Sequence, residues 1–452
     1  MENTIALADK RRRIIVPPSK TPLIKCGKAQ SCTEDRISNL PDEVLVSIVS
    51  RLKFEQAAST SVLSRRWRDL WRFSRNLKLK FRDGLWLDFE DESFGLRCRE
   101  FIDWVNYILK SHRGETIDGL SFEFCLDDKS FKSDIDSWIS FAFQKRVKKL
   151  KLNFACNWTN GGLGYPLTAD ILHGYRLDSL TSLYLWHVDV TEEVLYYFLS
   201  VCPSLEELST IHNMCLVNFS VSGPSLKLRH LEIQDAWYLE KLDICDSNLV
   251  SFKYTGEKTS ISLKDTPLLV KASFGLGYAC TIVQNSIHGS SYLQQLETLV
   301  LDFRCQYKKL RRFPNFPKLR NLRQLELVLT PSVSRLVLCG CLLRASPLLT
   351  RLKIEFRDFK DSTREETEVR RPKQPHKCLK IIGLITMVGC KAQLQIASYL
   401  LGSAPSLGKI IIDPRVQNKR IREDSDKLQT ARNRVRQHLE TRLPVGTELV
   451  VL

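Results

Sequence analysis

Few side chains in this sequence stand at spacings that covalent chemistry or metal binding requires. Cys339-Gly340-Cys341 and His376-Lys377-Cys378 bring soft ligands together, but neither has the second pair that a tetrahedral zinc site needs. They read as small buried hydrophobes, like Cys125, Cys156, Cys202, Cys215 and Cys245, which sit in apolar contexts without the spacings of a disulfide scaffold. Gly275-Leu276-Gly277 lacks the third glycine and the strand-to-helix setting of a phosphate loop. There is no Gly-x-Ser-x-Gly elbow and no His-Glu-x-x-His pair, and the 8 histidines are dispersed. The acidic pairs Asp127-Asp128 and Glu365-Glu366 fall in stretches that read as solvated loops. No catalytic residue, metal ligand or cofactor site is expected. What remains is recognition by surface side chains.

Those side chains need a scaffold, and a repeat supplies it. An apolar residue, two variable residues, an apolar residue, one variable residue and an apolar residue recur. Clear copies are Ile117-Leu120-Phe122, Val147-Leu150-Leu152, Leu180-Leu183-Leu185, Leu228-Leu231-Ile233, Leu249-Phe252-Tyr254, Leu296-Leu299-Leu301, Leu322-Leu325-Leu327 and Leu349-Leu352-Ile354. Weaker copies start at Leu205, Leu269, Leu379 and Leu407. The spacing is that of leucine-rich repeats: the last two apolar positions alternate with polar ones as a short strand with one buried face, and the chain returns outside it. VCPSLEEL, RASPLLTRL and GSAPSLGKI share one order, a helix end, a small residue with proline, then the next strand. One such helix runs over Val190 to Leu199, with Thr191 as its cap and Cys202-Pro203 as its end.

Because strand residues alternate faces, the positions between the buried leucines line the concave side of the expected solenoid. They include Lys149, Lys151, Ser182, Tyr184, Trp186, His230, Glu232, Gln324, Glu326, Arg351, Lys353 and Glu355. Lys149, Lys151, Tyr184, Trp186 and His230 are the candidate target-binding residues. Exposed aromatics beside lysines suit a ligand with an acidic or phosphorylated feature near an apolar group, unless the loop around Gly161 to Tyr165 or the terminal unit covers them.

Ahead of the repeats stands a compact helical stretch, Asp35 to Trp71. Leu40-Pro41 opens it with Asn39 as a candidate cap, and Val44, Leu45, Ile48, Val49 and Leu52 mark one helix face. A second helix carries Ala57, Ala58, Val62, Leu63, Trp67, Leu70 and Trp71. Two short amphipathic helices hide little apolar surface on each other, so the segment calls for a partner. Through LPDEVLVSIVSRL and TSVLSRRWRDLW it resembles an F-box of the plant type, with Lys53 where proline is usual and with Ala58 and Ser59 in place of a larger apolar and a basic residue. The resemblance implies docking to a Skp-type adaptor, which links the chain to a cullin-RING ligase. The residues implied for that contact are Leu40, Pro41, Leu45, Ile48, Leu52, Val62, Leu63 and Trp67, some of which must instead form the module's own core.

After the exposed stretch Arg357 to Pro375, Cys378 to Ile382, Ala392 to Leu401 and Ala404 to Leu407 resemble the FBD module that follows the repeats in many plant F-box proteins. Gly408 and Ser403 stand there in place of larger polar residues. Leu428, Ala431, Val435 and Leu439 mark a last amphipathic helix, and Thr447 to Leu452 a closing strand.

Composition sets outer limits. The formal charge of +17, from 68 Lys and Arg against 51 Asp and Glu, fits a nucleic-acid or an acidic partner. Its distribution argues against nucleic acid. Lys10-Arg11-Arg12-Arg13 lies in a leader that reads as a solvated tail or a nuclear-import signal, and Lys419 to Arg442 mixes both signs. Even the most apolar stretch, Leu379 to Cys390, is too short and interrupted to span a bilayer, and the N-terminus lacks the order of a secretory signal. A nuclear or cytoplasmic protein is expected, with Asn157-Trp158-Thr159 and Asn218-Phe219-Ser220 unmodified.

The fold expected is α/β: a basic leader over 1–33, an all-α F-box over 34–78, an irregular leucine-rich-repeat solenoid over 79–375 and an FBD-like C-terminal region over 376–452. The function expected is that of the substrate-recognition subunit of an SCF-type ligase, without catalysis of its own. The alternative is a non-ligase F-box scaffold or leucine-rich-repeat binding module.

Overall fold

The computed structural model describes residues 36–37, 39–81, 93–124, 131–155, 164–257, 259–285, 292–304, 318–331, 333–357, 375–415 and 425–452, and the structural statements below concern these. The Lys10–Arg13 leader, Asn157-Trp158-Thr159, both acidic pairs and most of 357–375 lie outside them. The chain forms two compact units, Met1–Leu205 and Glu206–Leu452.

The first unit begins with helix α1 (Asp42–Val49). Pro41, not Asn39, occupies its N-cap position, and no side chain caps it. Proline is favoured at a helix start because its fixed φ suits the entry and it has no N–H to leave unpaired. The second helix expected from Ala57 to Trp71 is instead three pieces: α2 (Phe54–Ser59) and 3-10 turns over Thr60–Val62 and Trp67–Phe73. The break has local causes. Ser59 and Thr60 donate their hydroxyls to the carbonyls of Glu55 and Ala57, which competes with helix propagation. Beyond them Arg66 donates to Asp42 through Nε at 2.9 Å and Nη2 at 2.6 Å, drawing the chain back over α1. The module buries Leu45, Val49, Phe54, Ala57, Ala58, Trp67, Leu70 and Trp71. The small Ala58 is therefore part of its interior.

Four parallel strands follow: β1 (Asn76–Lys80), β2 (Gly119–Glu123), β3 (Lys149–Asn153) and, after the short β4 (Tyr165–Pro166), β5 (Ser182–Trp186). β4 pairs with β6 (Val188–Asp189). Parallel neighbours need crossovers. Helix α3 (Ser93–Ser111) joins β1 to β2, α4 (Lys132–Gln144) joins β2 to β3, and α5 (Glu192–Val201) follows β6. Phe101, Val105, Ile108 and Leu109 on α3 are buried as their spacing requires, and Trp104 meets Phe54 edge-on at 6.2 Å. Thr191 does precede α5 as its N-cap residue, although its side chain makes no capping bond.

The second unit repeats the strand through β7 (Glu207–Ile211), β9 (His230–Gln234), β11 (Ser251–Thr255), β13 (Lys271–Gly275), β14 (Thr298–Asp302), β15 (Gln324–Leu329), β16 (Arg351–Phe356), β17 (Ile381–Ile385), β18 (Lys409–Asp413) and β19 (Glu448–Val451). All pair in parallel, and the strands beyond residue 375 continue the same sheet. The weaker copies at Leu205, Leu269, Leu379 and Leu407 prove equivalent to the clear ones, since each leads into a strand and its leucine is buried.

Spacing decides how the chain returns. The closely spaced starts Leu205, Leu228, Leu249 and Leu269 leave room only for short strands, β8 (Asn218–Ser222), β10 (Lys241–Cys245) and β12 (Ser260–Lys264), which form a second parallel sheet. The wider intervals after Leu322, Leu379 and Leu407 hold helices: α8 (Val333–Ala345), α9 (Lys391–Ser403) and α10 (Ser425–Leu439), numbered after α6 (Leu276–Asn285) and α7 (Tyr292–Gln295). The three proline phrases close one turn: Leu205, Leu349 and Leu407 donate to the carbonyls of Cys202, Ser346 and Ala404 at 3.1, 3.1 and 3.2 Å. Strands often end on a left-handed residue, as at His212, Asp235 and Thr386 with φ of 54, 51 and 57 degrees. Asp and His are among the side chains that tolerate that region best.

A buried amide holds the Thr386 turn. Gln393 accepts from the backbone N–H groups of Gly389 (2.9 Å) and Cys390 (3.3 Å) and donates to the Thr386 carbonyl at 3.0 Å. Gln393→Leu keeps the volume but strands these groups. It is expected to cost about 2–4 kcal/mol, read by urea unfolding, because each buried unpaired group costs about 1–3 kcal/mol.

Candidate functional site

The residues implied for the adaptor divide into sets that sequence could not separate. Leu45 and Trp67 are 0% and 6% exposed and belong to the module's own core. Leu40 and Leu52 are half-buried, while Pro41 and Ile48 are exposed. Val62 and Leu63 are 75% and 64% exposed, at the end of the first 3-10 turn. The break in the second helix lifts this pair off the core that continuous helical spacing would have shared with Trp67. Exposed adjacent apolar side chains of this size form a contact surface with an incentive to be covered.

The module is tied to its own unit through polar contacts. The backbone N–H of Arg75 donates to Ser50 Oγ at 3.2 Å, and Asn76 Nδ2 to the Ser50 carbonyl at 3.2 Å. His112, at the end of α3, is buried with Nε2 3.0 Å from the Ser74 carbonyl. Burial holds its pKa below the ordinary value, the Ser74 bond opposes this, and the charge of Lys145 adds to it. Burial likewise lowers His212. Both rings are thus favoured neutral when folded, whereas in the unfolded chain they titrate at about 6.5. Below that value the unfolded state binds more protons. Their contribution to stability is complete above about pH 6.5 and is lost as pH falls towards the lower folded values. The urea midpoint is therefore expected to drop between about pH 7.5 and pH 5.5, with a shallower drop in His112→Gln.

The second surface is the solvent face of β1, β2, β3 and β5. Register aligns Lys78, Ser121, Lys151 and Tyr184 in one row and Lys80, Glu123, Asn153 and Trp186 in another. Glu123 lies 3.2 Å from Lys78, 2.9 Å from Lys80 and 3.9 Å from Lys151. Burial works to raise its pKa, but the hydrogen bonds and charges of Lys80 and Lys78 outweigh this and hold the carboxyl below its usual range. The Lys151 ammonium stands 4.6 Å from the Tyr184 ring centroid, a cation–π contact. Lys149 is exposed in the row beside Ser182, and Trp186 is half-buried.

Of the sequence-predicted target residues, Lys149, Lys151, Tyr184 and Trp186 come together on this face. His230 is exposed in the second unit, on β9, and Tyr165 is buried against Phe154 at 5.6 Å. Lys78, Lys80, Ser121 and Glu123 escaped the sequence reading. β1 has no leading apolar residue, so it falls outside the repeat pattern, although the alternation in Asn-Leu-Lys-Leu-Lys over 76–80 was available. The outward row of the second unit is largely self-paired: Glu232 accepts from Ser209 (2.7 Å) and Gln234 (2.6 Å) and pairs with Lys253 (2.8 Å), and Lys353 meets Glu326 at 3.2 Å.

Among the described residues no group of three or more His, Cys, Asp or Glu is placed to hold a metal, and no helix is long and apolar enough to cross a membrane. His376 spends Nε2 on the Ser346 carbonyl at 2.7 Å.

Comparison with known proteins bears on the helical module and, of the strand face, on β5. Residues 37–79 match the family model described as F-box domain. Residues 171–449 match the one described as At1g61320/AtMIF1, LRR domain. Similar proteins are found in Arabidopsis thaliana. F-box/FBD/LRR-repeat protein At2g04230 is 33% identical over 46% of this chain and 49% of its own length, so the match spans about half of that protein. F-box/LRR-repeat protein At3g03360 is 27% identical over 71% of this chain and 70% of its own. F-box/FBD/LRR-repeat protein At5g22660 is 24% identical over 85% and 90%.

Proposed function

Because this chain belongs to the plant F-box/leucine-rich-repeat family, we propose that it is the substrate-recognition subunit of an SCF-type cullin-RING ubiquitin ligase. The helical module docks a Skp-type adaptor, and the strand face holds the protein to be ubiquitinated. The observation that carries this reading is the exposure of apolar side chains on the module, Val62 and Leu63 most of all and Val44 and Ile48 with them, beside its buried core. In the same reading 34–78 is the F-box, 79–375 is an irregular leucine-rich-repeat solenoid, and 376–452 is an FBD-like cap that closes the array's end.

The chain supplies proximity and no bond-making group. Holding a target lysine near a charged conjugating enzyme turns a bimolecular encounter into a local one, and effective concentrations in such assemblies are of order millimolar. The partners are the adaptor, through it the cullin-RING ligase, and a protein target, in the nucleus or cytoplasm. The test is co-purification from plant cells at moderate salt: adaptor and cullin both follow the full-length chain. Retention of neither contradicts the reading and points to a leucine-rich-repeat binder outside the ligase, with the substitutions at Lys53, Ala58 and Ser59 as the reason.

A further inference from the structure

The face of β1, β2, β3 and β5 is not balanced. Among the described residues Lys78, Lys80 and Lys151 share one carboxylate, that of Glu123, so three ammonium groups against one carboxylate leave two positive charges uncompensated there. Two buried donors on the same face lack acceptors among the described residues: the hydroxyl of Ser121, between Lys78 and Lys151 in one row, and the indole N–H of Trp186, on the far side of Asn153 from Glu123 in the next. Native proteins leave few buried polar atoms unpaired, and each asks for a reason.

We propose that this face binds a phosphorylated side chain carried on a protein target, with Lys78, Lys80 and Lys151 meeting its charge, Ser121 and Trp186 donating to its oxygens, and Tyr184 packing the neighbouring apolar residue. The two uncompensated charges match a phosphate monoester, which carries about −1.5 to −2 at neutral pH. A phosphate offers three acceptor oxygens in different directions, which suits dispersed point charges and two separate donors. A carboxylate is planar and best met by the fork of an arginine, and the cations of this cluster are all lysine. Glu123 is 12% exposed and enclosed by the lysines, so it fixes where their heads stand. This inference deepens the target-binding role proposed above and rests on it for the ligand being a protein. Binding itself requires no adaptor.

The experiment uses the full-length chain and two degenerate peptide libraries, one with a central phosphoserine and one with serine, both containing aromatic and aliphatic neighbours. The phosphorylated library is expected to be retained at least about tenfold better, as charge-assisted contacts of this kind allow. Lys78→Ala with Lys151→Ala is expected to remove that preference at a melting temperature within a few degrees of the native value, because Lys78 is exposed and Lys151 only half-buried, and contacts at such positions contribute about 0–1 kcal/mol each. Lys253→Ala in the second unit is expected to leave it intact. Trp186→Phe keeps the ring, removes the donor and is expected to weaken retention severalfold. Equal retention of the two libraries overturns the inference, as does a phosphate preference that survives the double lysine variant. Tighter binding of a single-stranded oligonucleotide through the same lysines also overturns it and assigns the face to nucleic acid. Loss of the adaptor with the phosphate preference intact supports the site and removes only the ligase reading.

Discussion

Val62→Asp with Leu63→Asp is expected to abolish retention of the Skp-type adaptor and to leave the melting temperature of the chain unchanged. At 75% and 64% exposure the native side chains bury little in the free protein, so charging them costs the fold almost nothing. An apolar partner surface answers differently. Burying a Val or Leu side chain contributes about 1.5–3 kcal/mol, and an aspartate forced into the same place adds a desolvation penalty. Loss of both contacts, about 4 kcal/mol or more, corresponds to roughly a thousandfold in Kd. Leu45→Ala is the counterpart. It sits at 0% exposure inside the module, so truncation is expected to destabilise by about 2–5 kcal/mol through lost burial and a residual cavity. Pulldown and thermal melting on the same preparations separate the two effects. Loss of adaptor from Leu45→Ala with unchanged melting would reverse the assignment of inside and outside.

Trp138→Ala is expected to be the most destabilising single change in the first unit, at about 3–5 kcal/mol in urea unfolding. Trp138, on α4, is 1% exposed and stacks on Phe122 with centroids 5.1 Å apart and planes 15° apart. Phe101 and Phe124 close around it edge-on at 6.3 Å each. Its indole N–H donates to Asn106 Oδ1 at 2.7 Å, and Asn106 in turn donates to Asp134 at 2.9 Å. Trp138→Phe keeps most of the packing and loses the donor, so about 1–2 kcal/mol is expected, the usual cost of one buried bond. The consequence reaches the opposite face. Phe122 lies on β2 between Ser121 and Glu123, so a loosened Phe122 blurs the register that brings those groups to the lysines of β1 and β3.

Much of this was legible along the chain. A residue such as Leu231 or Leu352 is placed by two local facts, its alternation with polar neighbours and the turn that precedes it, and both are written within a few residues. The same locality made the weak copies at Leu269 and Leu379 recognisable although Ala272 and Ile382 vary the pattern. The strands β8 and β10 do carry the pattern, in Leu216-Phe219-Val221 and Leu239-Leu242-Ile244, with both leading leucines buried; they were missed because these copies fall between already regular starts, and β12 because Lys258 stands in the leading position.

The functional surfaces were less legible because they depend on what lies across from a residue. Helical spacing places Val62, Leu63 and Trp67 on related faces. Only the interruption after Ser59, and the pull of Arg66 on Asp42, puts the first two outside and the third inside. Likewise Lys149, Lys151, Tyr184 and Trp186 could be read from alternation, but the shared carboxylate of Glu123 and the unpaired donors of Ser121 and Trp186 arise from register between strands far apart in sequence.

The central claim is that adaptor and target are held by one chain so that the target is ubiquitinated, and the most direct measurement follows the targets themselves. Proteins retained by the full-length chain in plant cells are quantified with and without proteasome inhibition, together with their ubiquitin linkages, for the native chain and for Val62→Asp, Leu63→Asp. With the native chain, a set of retained proteins is expected to be ubiquitinated and to accumulate on inhibition. With the variant, the same proteins are expected to be bound and unmodified. Retained proteins whose ubiquitination and abundance are the same for both chains would contradict it and make the protein a binding scaffold.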